Sequence, residues 1–468
     1  MKISLHSKNM LAIFGGDSLA KVLGFLVTAY LARTVGDVAF GSIHIAMAAL
    51  SYAIIVSTGG IPLFGTREIA RNTLNIPQFT GELLTTRLLL SLIAMAVLMA
   101  YAFFLQTDPS IRKLTLIFSL FLLPNGAFLD WYFQGKSQMG IVATGRTLQM
   151  VAYLLLVILL VSASEDVVWV AWAWVAGAAV NMLWLGWRFF RNGFMISPPS
   201  SVTALAGIWR SSLPLGLATI LSQIVLQLPF FYLDRLNEPG IAGQYGAAFR
   251  LMLALLVIDR IFYTVFYPAI SRISGKTNSE ISEVVEHTLR IVTFSAVAIA
   301  TIAALGSSLI IPIIYSAEYL PAIPLFQLLC LFFLGSFVNS VVGFTLAGTG
   351  NQRAYSQSYG IAFVISMLTG VWLTFWQGIN GMILALGCYQ LVALLASSIF
   401  LRQTLAIHWF RTLFLPLILG CAAIAFLFLH SQNGILIWGM FFLIYLPVLL
   451  WVGKFSKKDR EFLKRMLL

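Results

Sequence analysis

Fourteen apolar stretches, each near the length that crosses a bilayer, follow one another along the 468 residues. About 20 residues at ~1.5 Å each cover the hydrocarbon core. The stretches fall at 9–33, 41–64, 83–105, 114–134, 141–162, 168–187, 211–233, 244–270, 289–314, 325–347, 355–376, 381–400, 412–429 and 435–452. Inside hydrocarbon every backbone polar group must be satisfied by the chain itself, so spans are α-helices or closed barrels, and runs this long select helices. An all-α polytopic membrane protein is expected, and 60% hydrophobic with 10% charged residues fits nothing soluble. Lys2 and Lys8 ahead of an apolar run resemble a signal peptide, but Asp17 and Lys21 interrupt that run, so an uncleaved first span is expected.

The formal charge of +12 would suit nucleic acid if it were spread evenly, and it is not. Of the 29 lysines and arginines, 22 fall in the two tails and on the side reached after even-numbered spans, among them Arg67, Arg71, Lys136, Arg188, Arg191, Arg272 and Arg402. Only Arg33, Arg112, Lys113 and Arg235 fall opposite. This bias places both termini in the cytoplasm of a multi-pass inner-membrane protein, with no nucleic-acid partner. The outer loops are too short to fold as a domain, which puts the function within the bilayer. Cys330, Cys388 and Cys421 each sit in an apolar run and read as packing residues. Trp131, Tyr132 and other aromatics near span ends read as interfacial anchors.

The organisation reads as an N-lobe of six spans at 1–190, a Pro- and Ser-rich cytoplasmic linker at 191–210, a C-lobe of six spans at 211–402, and two further spans with a basic tail at 403–468. The lobes echo each other. Gly41 aligns with Gly243, Ala46 with Ala248, Pro62 and Arg67 with Pro268 and Arg272, and Arg87 with Arg290, at offsets of 202 to 206. Spans 1 and 7 run the same way, so a parallel pseudo-repeat about the membrane normal is expected, with a central cavity between the lobes.

Ionisable residues inside spans are costly, about 2.5–3.5 kcal/mol on insertion scales, and mark pathways. Lys21 lies near mid-depth, Arg250 in the outer third and Arg260 in the inner third. On one helix, Arg250 and Arg260 fall within about 80° of each other. Guanidinium forks match phosphate oxygens, so a diphosphate-bearing substrate is the natural partner. The blander alternatives are that Asp17 neutralises Lys21 one turn away and that Arg260 snorkels to headgroups beside Asp259. Asp17 is also an ion-coupling candidate. His44 is a headgroup or pH-sensing candidate against a merely solvated interfacial histidine. Gln223 and Gln227 lie between Pro214 and Pro229 on a helix expected to bend and line the cavity, with interhelical hydrogen bonding as the alternative.

Nothing points to catalysis, a metal or a cofactor. The tetrapeptide Ser274–Thr277, SGKT, has Ile270 where a phosphate loop requires glycine, and it follows a membrane helix where a strand is needed. The outer acidic pair Glu165 and Asp166 has no companions for metal or acid–base chemistry. A membrane-bound glycan polymerase would need a large outer loop.

LARTVGDVAFGSI from Leu31, GTREIARN from Gly65, LDWYFQGKSQM from Leu129, GQYGAAFRLM from Gly243 and YPAISRI from Tyr267 together resemble the polysaccharide-unit flippases of the multidrug/oligosaccharidyl-lipid/polysaccharide (MOP) exporter superfamily. The resemblance covers spans 1 to 10, with 11 to 14 matching by count and length. It implies two six-helix lobes around a cationic cavity that opens alternately to each side, two extra C-terminal helices, and export of undecaprenyl-diphosphate-linked sugar units. A multidrug exporter of the same superfamily would want an acidic cavity, against the in-span balance here. A flippase for peptidoglycan precursor is the nearest rival. KFSKKDREFLKRM from Lys454 reads as an interfacial helix on anionic lipid, with docking of a polymerase or glycosyltransferase as the alternative.

Overall fold

In the computed structural model, residues 5–71, 75–193, 195–236, 238–272, 277–348, 351–403, 405 and 407–429 are described, and those residues form helices with no strand. Eleven helical stretches among them are long and apolar enough to cross a membrane. The expected last span, 435–452, and the basic tail lie outside the described residues. The chain divides into two compact units, Met1–Gly246 and Ala247–Leu468.

The first unit opens with α1, Leu5–Thr58, a 54-residue helix broken at Gly36, whose φ of 76° suits glycine far better than any residue with a Cβ. The break replaces the loop expected between spans 1 and 2. Gly59 and Gly60, both at positive φ, end it and lead into helix α2, Ile61–Arg71. Then come α3 (Ile76–Phe104), α4 (Pro109–Ser119), α5 (Leu122–Gly126), α6 (Asp130–Gly135), α7 (Met139–Leu160), α8 (Val167–Arg191) and α9 (Val202–Arg235). Asp108 caps α4 by accepting from the N–H groups of Ser110 and Ile111 at 2.7 and 3.0 Å, with Pro109 at the first helical position.

Span 4, expected as one run over 114–134, is three short helices. Pro124, Asn125 and Gly126 supply the reason: proline lacks the amide that a continuing helix needs. After the second break α6 turns inward and buries Trp131, Tyr132 and Phe133 completely. They pack with Ile69, Phe79 and Phe189 in one core, so Trp131 and Tyr132 are core residues and not interfacial anchors. The linker is shorter than expected, because Ser201 caps α9 through the Ala204 N–H and helix starts at Val202. Just before it the chain meets the start of α3, where Ser197 N–H donates to the Pro77 carbonyl at 3.1 Å.

Helix α10, Pro239–Arg272, starts in the first unit and continues into the second, followed by α11 (Asn278–Ile314), α12 (Ala322–Gly348), α13 (Gln352–Gln377), α14 (Ile379–Arg402), a π-turn at Phe410–Phe414 and α15 (Leu415–Leu429). On α11, Glu286 pairs with Arg290 at 3.3 Å and accepts from Thr412 at 3.4 Å, tying α11 to the π-turn that precedes α15.

Within the first unit the aligned glycines meet. A Cβ on Gly41 would strike the carbonyl of Pro239, and one on Gly243 would strike the carbonyl of Asp37. Each glycine thus faces the carbonyl four residues upstream of the other, and Asp37 and Pro239 stand at the same offset of 202 that relates Gly41 to Gly243. Bare backbones approach where only glycine fits. Alanine normally favours a helix over glycine by up to about 1 kcal/mol. At this crossing G41A and G243A should instead destabilise by about 1–3 kcal/mol through overpacking. Thermal unfolding in detergent would read the difference, with G207A, at a glycine with open space around it, unchanged or slightly stabilised.

Candidate functional site

Lys21 is an exposed side chain on α1 that has an interaction partner, and it belongs to the first unit. The side chains of Asp17 and Arg260 lie outside the described ones. His44, eight residues past the Gly36 break in α1, is 5% exposed. Its ring meets Phe40 edge-on at 4.5 Å and stacks on Phe230 of α9 at 5.6 Å. Gly246 gives it room, since a Cβ there would lie 2.8 Å from His44 Cγ. Imidazole here is a packed aromatic between α1, α9 and the start of α10.

On α9, Gln223 is exposed and Gln227 half-buried, one turn apart. Between them Tyr52 of α1 donates its hydroxyl to the Ile224 carbonyl at 2.8 Å. Pro229 has no N–H for the carbonyl of Val225, so this turn of α9 is where the helix ladder is weakened and where an outside donor lands. Tyr52 also packs on Phe231 at 4.8 Å. At the end of α9, Asp234 accepts from Tyr101 Oη at 2.8 Å and Gln106 Nε2 at 2.9 Å, while Arg112 donates to the Gln106 carbonyl at 2.7 Å. These bonds close the ends of α3, α4 and α9 together.

In the second unit Arg250 is half-buried on α10. Its charge reaches Tyr315, just past the end of α11, whose buried hydroxyl has no hydrogen-bond partner among the described residues. Burial pushes that hydroxyl well above its ordinary pKa, and the Arg250 charge pulls the other way. Asp259, further along α10, accepts from Ser340 of α12 at 2.8 Å.

The cation that sequence reasoning missed is Arg87. It is 2% exposed, eleven residues into α3 from Ile76. One terminal nitrogen donates to the Phe128 carbonyl and the other to the Asn125 carbonyl, both at 2.7 Å. Those carbonyls belong to the broken span 4. Asp130 lies 3.8 Å from the same guanidinium and 3.9 Å from Arg146. Asn125 in turn donates to Ser57 Oγ at 3.3 Å. The signal was present in LLTTRLLL, an arginine inside leucines with no carboxylate one turn away on the apolar side, and in the PNG that removes a helix donor.

Comparison with known proteins gives the lineage. A family model described as polysaccharide biosynthesis protein matches residues 7–274, more than half of the chain. The chain belongs to the polysaccharide biosynthesis protein family. A Shigella dysenteriae relative, provisionally named an O-antigen transporter, is 21% identical to this family member over 392 residues, covering 81% of this chain and 96% of the relative. Among solved structures, the lipid II flippase MurJ in an inward closed conformation superposes with a TM-score of 0.68 at 13% identity, covering 98% of this chain and 99% of that one. An inward-facing multidrug resistance MATE transporter of the MOP superfamily gives 0.65 at 15% identity, covering 82% and 94%. The fold of this polysaccharide biosynthesis protein is therefore that of the MOP superfamily transporters.

Removing a buried, hydrogen-bonded cation typically costs about 3–5 kcal/mol. R87M should lose about that much thermal stability, and R87K should recover only part, because an ammonium cannot bridge two carbonyls as a fork does. R146Q, at a half-exposed partner of Asp130, should change stability by less than about 1 kcal/mol.

Proposed function

We propose that this chain is a flippase that carries undecaprenyl-diphosphate-linked oligosaccharide repeat units from the cytoplasmic to the outer leaflet for surface polysaccharide synthesis. The observation that carries it is the family match over residues 7–274, which contains every candidate site residue from Asp17 to Arg260. The name of the Shigella relative and the MOP fold support the same reading. The role is transport and not catalysis.

The physical problem is the headgroup. Each unsatisfied polar group in hydrocarbon costs several kcal/mol, so sugars need a polar path while the polyprenyl tail stays in lipid. A guanidinium or ammonium at depth offers the diphosphate a partner that lipid cannot. In this mechanism the two halves rock in alternating access, and Lys21, Arg250 and Arg260 receive the diphosphate in turn. Gln223 and Gln227 offer amides to sugar hydroxyls, Asp17 is the candidate for ion coupling, and His44 acts by packing α1 against α9. An inside-negative potential favours outward movement of an anion by about 2.3 kcal/mol per charge per 100 mV, so no ATP is required.

Reconstitution in liposomes with labelled lipid-linked oligosaccharide, read by lectin accessibility, tests this. Lys21→Gln and Arg250→Gln should each abolish flipping while membrane levels stay normal, and unimpaired flipping in both would overturn the cationic path. An imposed inside-negative potential should speed the wild-type protein. A peptidoglycan precursor is the competing cargo, raised by the full-length likeness to the MurJ structure. Flipping of that lipid in preference to the oligosaccharide would decide for it.

A further inference from the structure

Helix α8 exposes Trp169, Trp172, Val180, Leu183, Trp187 and Phe190. The steps between them keep all six on one helical face. Tryptophans stand near both ends and aliphatic residues between, which is the pattern of a lipid-facing stripe with an aromatic ring at each interface. Eighteen residues separate Trp169 from Trp187, about 27 Å of helix, close to the ~30 Å of a hydrocarbon core. Trp187 therefore marks one edge of the core, and Arg188 and Arg191 stand at the level of the lipid phosphates. The charge bias of the loops makes this the cytoplasmic edge.

The two arginines are held for binding. Arg188 lies over the rings of Trp184 and Trp187 at 5.9 and 5.8 Å, and Arg191 lies over Trp187 at 5.1 Å. Trp184 is itself fixed, its Nε1 donating to the Ile141 carbonyl at 3.0 Å. Arg188 Nε is buried without an acceptor, so the donors left to a ligand are the terminal nitrogens. Among the described residues no carboxylate pairs with either guanidinium. By contrast Arg67 and Arg71 share Glu68 at 3.0 and 3.1 Å.

We propose that the end of α8 is a binding site for the anionic headgroup of a resident inner-leaflet phospholipid, its phosphate taken by Arg188 and Arg191 and its chains laid along the Trp187 and Leu183 face. Charge complementarity and the depth of the two arginines select this occupant. The site is independent of the proposed cargo, because it sits on the stripe that faces lipid.

Native mass spectrometry of the full-length protein, with dioleoyl phosphatidylglycerol or dioleoyl phosphatidylcholine as the probe, tests it. Wild-type protein should retain phosphatidylglycerol over phosphatidylcholine by on the order of tenfold, as two cations at an anionic surface predict. R188Q/R191Q should bring the two lipids near parity, and R67Q/R71Q should keep the preference. Parity in the wild type, or an unchanged preference in R188Q/R191Q, overturns the site. Loss of undecaprenyl diphosphate adducts in that variant with phosphatidylglycerol retained would also overturn it, assigning the patch to a diphosphate lipid. Where the double variant is not recovered folded, R191Q alone, at an exposed position, should lose part of the preference, and no loss there counts against the site.

Discussion

A carbonyl stranded in hydrocarbon has no water to turn to, and the first unit is arranged around that constraint. Span 4 is broken on both sides of α5, and the oxygens of Asn125 and Phe128, at the turn between α5 and α6, accept from the fork of Arg87. The exchange works in both directions. A buried guanidinium needs acceptors as much as the carbonyls need donors, so each defect satisfies the other. Trp131, Tyr132 and Phe133 are buried because the chain turns at this point, and a hydrophobic core of the unit forms around them.

Positive charge then serves several unlike purposes in one chain. Arg67 and Arg71 sit on the exposed face of α2 and share a carboxylate, a contact of small energetic weight. Arg87 is a piece of architecture. Arg290 is paired within its own helix, while its neighbour Glu286 reaches Thr412. Arg250 is half-buried, and its charge acts on a buried tyrosine hydroxyl that has no hydrogen-bond partner among the described residues. A count of cations by loop merges residues that do unrelated work.

Much of the fold was legible because a bilayer tolerates so few structures. Runs of apolar residues gave the helices, and the aligned pair Gly41 and Gly243 pointed to backbones that the structure brings into contact. Breaks were harder. The PNG of span 4 stands in plain sight, but hydropathy averages over it, and only tertiary packing decides whether proline bends a helix or ends it. Trp131 and Tyr132 lie near a span end where aromatic anchors belong, and nothing local says that the backbone turns inward there. His44 is the same lesson at a candidate site: its surroundings are Phe40, Phe230 on the sequence-distant α9, and Gly246, and no spacing rule collects those three.

The stripe along α8 is a ruler as well as a surface. Tryptophan rings resist leaving the headgroup layer in either direction, so the distance between the exposed Trp169 and Trp187 sets the bilayer thickness that α8 itself matches best. A thicker membrane has to thin locally and a thinner one has to tilt the helix, at fractions of a kcal/mol per ångström of mismatch. Acyl-chain length thereby becomes a variable to which this protein is mechanically coupled, quite apart from anything it carries.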